Sequence, residues 1–174
     1  MIKKSNIRYI ILIIAVITGF TCVFTTVVQG ESTTLVLEAE GVEVDAKSLE
    51  QWWEGTVLHI RYYTKRELSG TIGGIAFTGH NEIYTHVKID FATGELIANG
   101  KVTWYITLNG RVGTFYGPVN TKGVFMGDQS SKIALQGAEG FDGWKLFGIV
   151  RNLPGADPPK VIFSGTVLIP QYDN

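Results

Sequence analysis

From Thr34 to Ile169 the chain consists of short runs in which apolar side chains fall on every second position, and glycine turns separate the runs. A period of two belongs to a strand with one face buried and one wet, and a helix with 3.6 residues per turn cannot satisfy it. Lys101 to Leu108 is the clearest case, with Val102, Trp104, Ile106 and Leu108 on one parity and Lys101, Thr103, Tyr105 and Thr107 on the other. Glu82 to Phe91 sets Ile83, Val87, Ile89 and Phe91 against Glu82, Tyr84, His86, Lys88 and Asp90. Thr56 to Thr64 sets Leu58, Ile60 and Tyr62 against His59, Arg61 and Tyr63. Thr34 to Val44 reads as one long strand or a bulged pair, and shorter candidates lie at 113–116, 123–126, 132–136, 144–150 and 161–169. Asn99-Gly100 and Asn109-Gly110 carry the signature of two-residue hairpin turns, and Thr93-Gly94 marks another turn. These runs amount to nine or ten strand candidates. Asp45 to Glu54 is the one stretch with helical character, with Asp45 as N-cap and Leu49, Trp52 and Trp53 as an apolar patch, though a turn fits it equally well. Alternating strands and helices are missing, which argues against a nucleotide-binding parallel sheet.

The fold class that follows is all-β: an antiparallel barrel of about eight strands, with residues 31–174 as a single domain. Glycine supports closure. It accounts for 21 of 174 residues, against a usual share of ~7%. Strongly curved strands need positions without a Cβ at their bends. Gly113-Thr-Phe-Tyr-Gly117 and Gly140-Phe-Asp-Gly143 repeat an aromatic set between glycines. They read as a repeated hairpin device, because a phosphate-cradling loop would need a helix directly after it. On Gly113-Thr-Phe-Tyr-Gly117, Gly137-Ala-Glu-Gly140 followed by Phe141, and the Ile89–Gly94 turn, the chain resembles the small β-barrels of the allene oxide cyclase and dirigent type. The resemblance spans the middle third to half of the chain and implies an eight-stranded barrel with an apolar central cavity. In the cyclases that cavity folds an epoxide substrate, and in dirigent proteins it orients phenoxy radicals. No catalytic residue of those families matches a position here, so their activities do not transfer.

Residues 1–30 read as a leader. Lys3, Lys4 and Arg8 precede the uncharged stretch Tyr9–Val28, whose most apolar part is Ile10–Ile17. A basic start and an apolar run mark a signal peptide, and Val28-Gln29-Gly30 offers a loose cleavage site. A stretch of about twenty uncharged residues also meets the length of a membrane anchor, with the cations held on the cytoplasmic side. Either way the folded part is expected outside the cytoplasm. Cys22 is the only cysteine and lies in the leader, so the domain is held by its core without disulfides. The residues before Cys22 fit a lipid-attachment site poorly.

The 15 Lys and Arg residues nearly balance 16 Asp and Glu, which excludes a strongly basic nucleic-acid binder. No cofactor motif and no G-x-S-x-G elbow occur. The carboxylates Glu38, Glu40 and Glu43 share a region, but a solvated strand face explains them more simply than glycoside cleavage. The candidate ligand-binding set is His59, Arg61, Tyr63, Tyr84 and His86, which converge on one face if their strands pair. Arg and Tyr on such a face would suit a carboxylate, whereas the bland alternative is the wet outer wall of the barrel. A metal on His59, His86 and Glu82 lacks supporting spacing. Trp52 and Trp53 cannot both point inward from one strand, so one of them is expected outside or at the mouth. The expected function is that of a non-catalytic barrel that binds a small apolar ligand, the natural guest of a barrel this size, or serves a structural or interaction role; a cyclase- or isomerase-like enzyme acting in the cavity is the alternative. Nothing in the sequence speaks to oligomeric state.

Overall fold

The structure, a computed structural model, describes residues 32–153 and 155–171; the leader lies outside them. Eight strands form a closed antiparallel barrel in chain order. They are β1 (Ser32–Glu54), β2 (Val57–Ile72), β3 (Ile75–Asp90), β4 (Glu95–Leu108), β5 (Arg111–Val124), β6 (Gln129–Ala138), β7 (Lys145–Leu153) and β8 (Lys160–Pro170). Closure comes from β1 pairing with β8 as well as with β2, which removes the free edges that an open sheet would present along most of its length. No helix occurs among the described residues.

Two expectations fail locally. Asp45–Glu54 is the second half of β1, not a helix or turn, and it pairs with β2 from Lys65 to Val57. Its strand partner and two bulges, between Glu43 and Asp45 and between Ser48 and Glu50, override a marginal ten-residue helical pattern. Asn99-Gly100 is not a turn either, because β4 runs straight through it. Only Asn109-Gly110 turns, with positive φ at both residues (49° and 77°) as a two-residue hairpin of this type needs. The shorter candidate 113–116 and the first half of 123–126 merge into the single strand β5, with Phe125 and Met126 in the turn after it, so eight strands replace nine or ten.

Strand lengths are unequal, and this shapes the molecule. β1 pairs with β8 only through Val42; beyond it, the second half of β1 is the edge of a tall wall built on β2 and β3. Charges (Asp45, Lys47, Glu50, Glu54) and the two bulges occupy that edge, and both features discourage edge-to-edge pairing with another chain.

The end of the barrel that carries the β2–β3, β4–β5 and β6–β7 turns is packed solid. Leu37, Ile72, Phe77, Phe115, Leu146 and Val167 are all buried there. Phe141 comes from the β6–β7 connection and folds over this end, stacked on Phe115 at 5.1 Å between ring centroids. The repeated glycine–aromatic elements explain how it fits. A Cβ on Gly113 would lie 2.6 Å from the Phe141 ring, and one on Gly137 would lie 2.0 Å from the Phe141 carbonyl oxygen. The two glycines are the socket for this plug.

Candidate functional site

The register brings the five candidate residues together. Arg61 pairs with His86 and Tyr63 with Tyr84, while His59 lies one step along, opposite Lys88. They share the outer face. On β2 the inward parity is that of the buried Leu68 and Ile72, so Leu58, Ile60 and Tyr62 point inward and His59, Arg61 and Tyr63 outward. The Arg61 side chain is 64% exposed and pairs with Glu50 at 2.8 Å. Whatever these residues bind is bound from outside the barrel, and Arg61 cannot reach a guest in the lumen.

His59 is nevertheless only 5% exposed, because the Trp52 ring covers it with centroids 4.9 Å apart. Trp52 also lies over His86 at 5.2 Å, while Trp53 is exposed and contacts Phe91 at 5.4 Å. Trp52 thus lies on the outer face, whereas Trp53, opposite Leu58 on the lumen-facing parity, stands exposed. His59 Nδ1 is 3.1 Å from His86 Nε2, and His59 Nε2 is 3.3 Å from Glu54 Oε2. Glu82, two pleats along β3 from His86, pairs opposite Lys65. The His86 imidazole is held below its ordinary 6.5, first by burial and then by His59, Lys88 and Arg61. The unfolded chain therefore takes up a proton at His86 before the folded one does as pH falls. Stability present above pH 6.5 is expected to drain away as the pH drops through that value toward the lowered folded one. Thermal melts from pH 8 to pH 5 should show the decline, and His86→Gln should flatten part of it; an unchanged slope in that variant would refute the assignment.

The lumen is open at the other end. There a cavity of about 240 Å³ is walled by apolar Ile83, Val87, Leu96, Ala98 and Val119, and by polar Tyr62, Thr64, Arg66, Thr85, Thr121 and Ser131. Gln129 and Asn152 reach across its rim, joined by a 3.2 Å hydrogen bond. Thr121 and Ser131 hydroxyls pair at 2.7 Å on the wall. Arg66 is the cation of this space. Its guanidinium lies 3.9 Å from the Glu43 carboxylate. Burial lowers its pKa, and Glu43 and Tyr62 partly oppose that shift. The Tyr62 phenol is raised by burial and then by Glu43, so it is a hydrogen-bond donor at neutral pH.

Below this cavity two buried polar side chains lack a protein partner. Neither amide atom of Asn81 is bonded, nor is the indole N–H of Trp104, and both residues are 0% exposed. A buried polar group left unpaired costs about 1–3 kcal/mol, so such groups are rare and call for a reason.

Sequence reading passed over Arg66 and Asn81. Lys65-Arg66-Glu67 looks like a solvated charge run, and Asn81 sits in a polar stretch. The usable signal was parity: Arg66 is in phase with Leu68 and Ile72, and Asn81 with Phe77 and Ile83.

Two further depressions are less suited to chemistry. One, of about 480 Å³, is a shallow, mostly apolar hollow on the outer wall by Phe147, Ile149 and the Gly148–Gly165 pair. The other, about 370 Å³, lies at the rim between Lys122 and Arg151. No family model matches this chain, and neither does any curated protein or solved structure.

Proposed function

We propose that this protein is a non-catalytic binding barrel, exported or membrane-anchored, whose lumen takes one small, largely apolar molecule through the open end. The observation that carries this reading is the 240 Å³ cavity inside the barrel, apolar on one side and lined on the other by Tyr62, Thr64 and Arg66. Binding sites are concave and mostly apolar, with a few polar groups that fix orientation. Drug-sized ligands occupy roughly 300–1,000 Å³, so the guest is smaller than that. Export rests on the basic and apolar composition of residues 1–30. The resemblance to allene oxide cyclase and dirigent barrels agrees with a lumenal guest. A cyclase- or isomerase-like reaction in the same lumen is the second reading, favoured by the Tyr62 hydroxyl near Glu43 and Arg66, a proton donor beside a carboxylate and a fixed positive charge.

The test is a titration with 4-phenylbutan-1-ol followed by amide NMR. Shifts confined to lumen positions such as Ile83, Ala98 and Val119 are expected. Ala98→Phe puts a ring into the cavity and should weaken the probe by at least about tenfold, a loss of the size a blocked pocket produces. Shifts confined to the outer wall around Phe147, or binding unchanged in Ala98→Phe, would overturn the lumen reading.

A further inference from the structure

We infer that the lumenal guest carries a carboxylate, seated on Arg66 with Asn81 behind it; the inference rests on the lumen-binding reading. Strand register sets Glu43, Arg66, Asn81 and Trp104 side by side across β1 to β4, through the pairs Glu43–Arg66, Arg66–Asn81 and Asn81–Trp104. All four are on the inward parity, so the row runs across the lumen wall, inclined to the barrel axis because the strands tilt. Arg66 lines the cavity, as does Ile83, the next inward residue after Asn81 on β3. Asn81 and Trp104 therefore form the layer directly beneath the cavity.

The chemistry of this row is unbalanced. It offers the guanidinium N–H groups, the Asn81 amide N–H₂ and the Trp104 indole N–H, all donors. On the acceptor side it has the Asn81 carbonyl, which is unpaired, and Glu43, whose nearest oxygen is 3.9 Å from Arg66, beyond hydrogen-bond length. Within this row the donors outnumber the acceptors, next to a half-buried cation whose carboxylate partner, Glu43, stands off at 3.9 Å. An ionised carboxylate brings acceptor sites without a donor and matches the two-pronged geometry of arginine. A hydroxyl would bring a donor to a place already rich in them. The apolar wall of Ile83, Leu96, Ala98 and Val119 then receives the hydrocarbon body, so the class is a small monocarboxylic acid with an apolar tail.

The experiment compares 4-phenylbutanoic acid with 4-phenylbutan-1-ol by calorimetric titration of the full chain. Wild type should prefer the acid by at least about tenfold, in line with the added strength of a charge-assisted, two-pronged contact. Arg66→Gln should erase that preference, the acid losing at least about tenfold more affinity than the alcohol, and Arg66→Lys should restore part of it, a point charge without the fork. Asn81→Leu should weaken the acid selectively and raise the melting temperature of the free protein, because it removes an unpaired buried amide. Equal affinity for both probes in wild type would overturn the carboxylate assignment and leave lumen binding standing. Acid preference that persists in Arg66→Gln would also overturn it, by placing the anion elsewhere. Binding of neither probe would overturn the lumen reading and this inference together.

Discussion

Gly79→Ala is expected to destabilise the barrel by about 3 kcal/mol or more, the upper end of what overpacking by a single group costs. Gly79 pairs with Ile106 in the β3–β4 ladder. A Cβ built on it would lie 2.0 Å from the Tyr105 carbonyl oxygen and 2.8 Å from the Ile106 Cα. Both atoms are backbone and cannot rotate away. Relief requires the two strands to separate, which breaks ladder hydrogen bonds on either side. Gly55→Ala is the control. Gly55 has a positive φ of 60° but no atom within 4 Å of a new Cβ, so it should cost only the conformational penalty of about 1–2 kcal/mol. Urea unfolding of both variants measures the gap. A Gly79→Ala midpoint equal to that of Gly55→Ala would mean that β3 and β4 are not so closely apposed.

Trp104→Ala is the second large effect, expected to cost about 3–5 kcal/mol. Trp104 is fully buried, 4.8 Å from the Phe163 ring and 6.3 Å from Phe77 between centroids. It fills the middle of the lumen, between the plugged end and the cavity. A whole domain is stable by only about 5–15 kcal/mol, so this one truncation removes a large share. Trp104→Phe separates packing from polarity. It keeps an aromatic ring against Phe163 and deletes the indole N–H that has no protein partner, so it should cost much less than the alanine variant. Equal losses in the two variants, read from chemical denaturation, would show that the N–H contributes through a bond of its own.

Much of the architecture was legible because strand periodicity is local. The inward residues of β4, Val102 to Leu108, were assigned from alternation alone, and all four are buried. The Asn109-Gly110 turn was read from chemistry that belongs to two residues. Asp45–Glu54 was misread for the converse reason. Its ten residues carry little intrinsic preference, and only pairing with β2 makes them strand. Asn99-Gly100 has turn chemistry, but Gly100 is needed mid-strand, where a Cβ would meet the Tyr84 carbonyl oxygen at 2.0 Å.

The candidate site divides in the same way. That His59, Arg61, Tyr63, Tyr84 and His86 share a face followed from two strands being adjacent. The more apolar parity of Leu58, Ile60 and Tyr62 pointed to a wet outer wall for their neighbours, but that the lumen beside Tyr62 stays open depends on the closed barrel.

By itself the sequence determined the class of element, the residues that travel together on each strand, and a core held without disulfides. Only the tertiary structure decided that the inward-facing polar residues Arg66 and Asn81 belong to the lumen, that the lumen is plugged by Phe141 at one end and open at the other, and that Arg66, Asn81 and Trp104 meet in one row. Alternation is a relation between neighbours along one strand, set by the pleat. Inside and outside belong to the closed sheet, whose curvature and register depend on all eight strands at once.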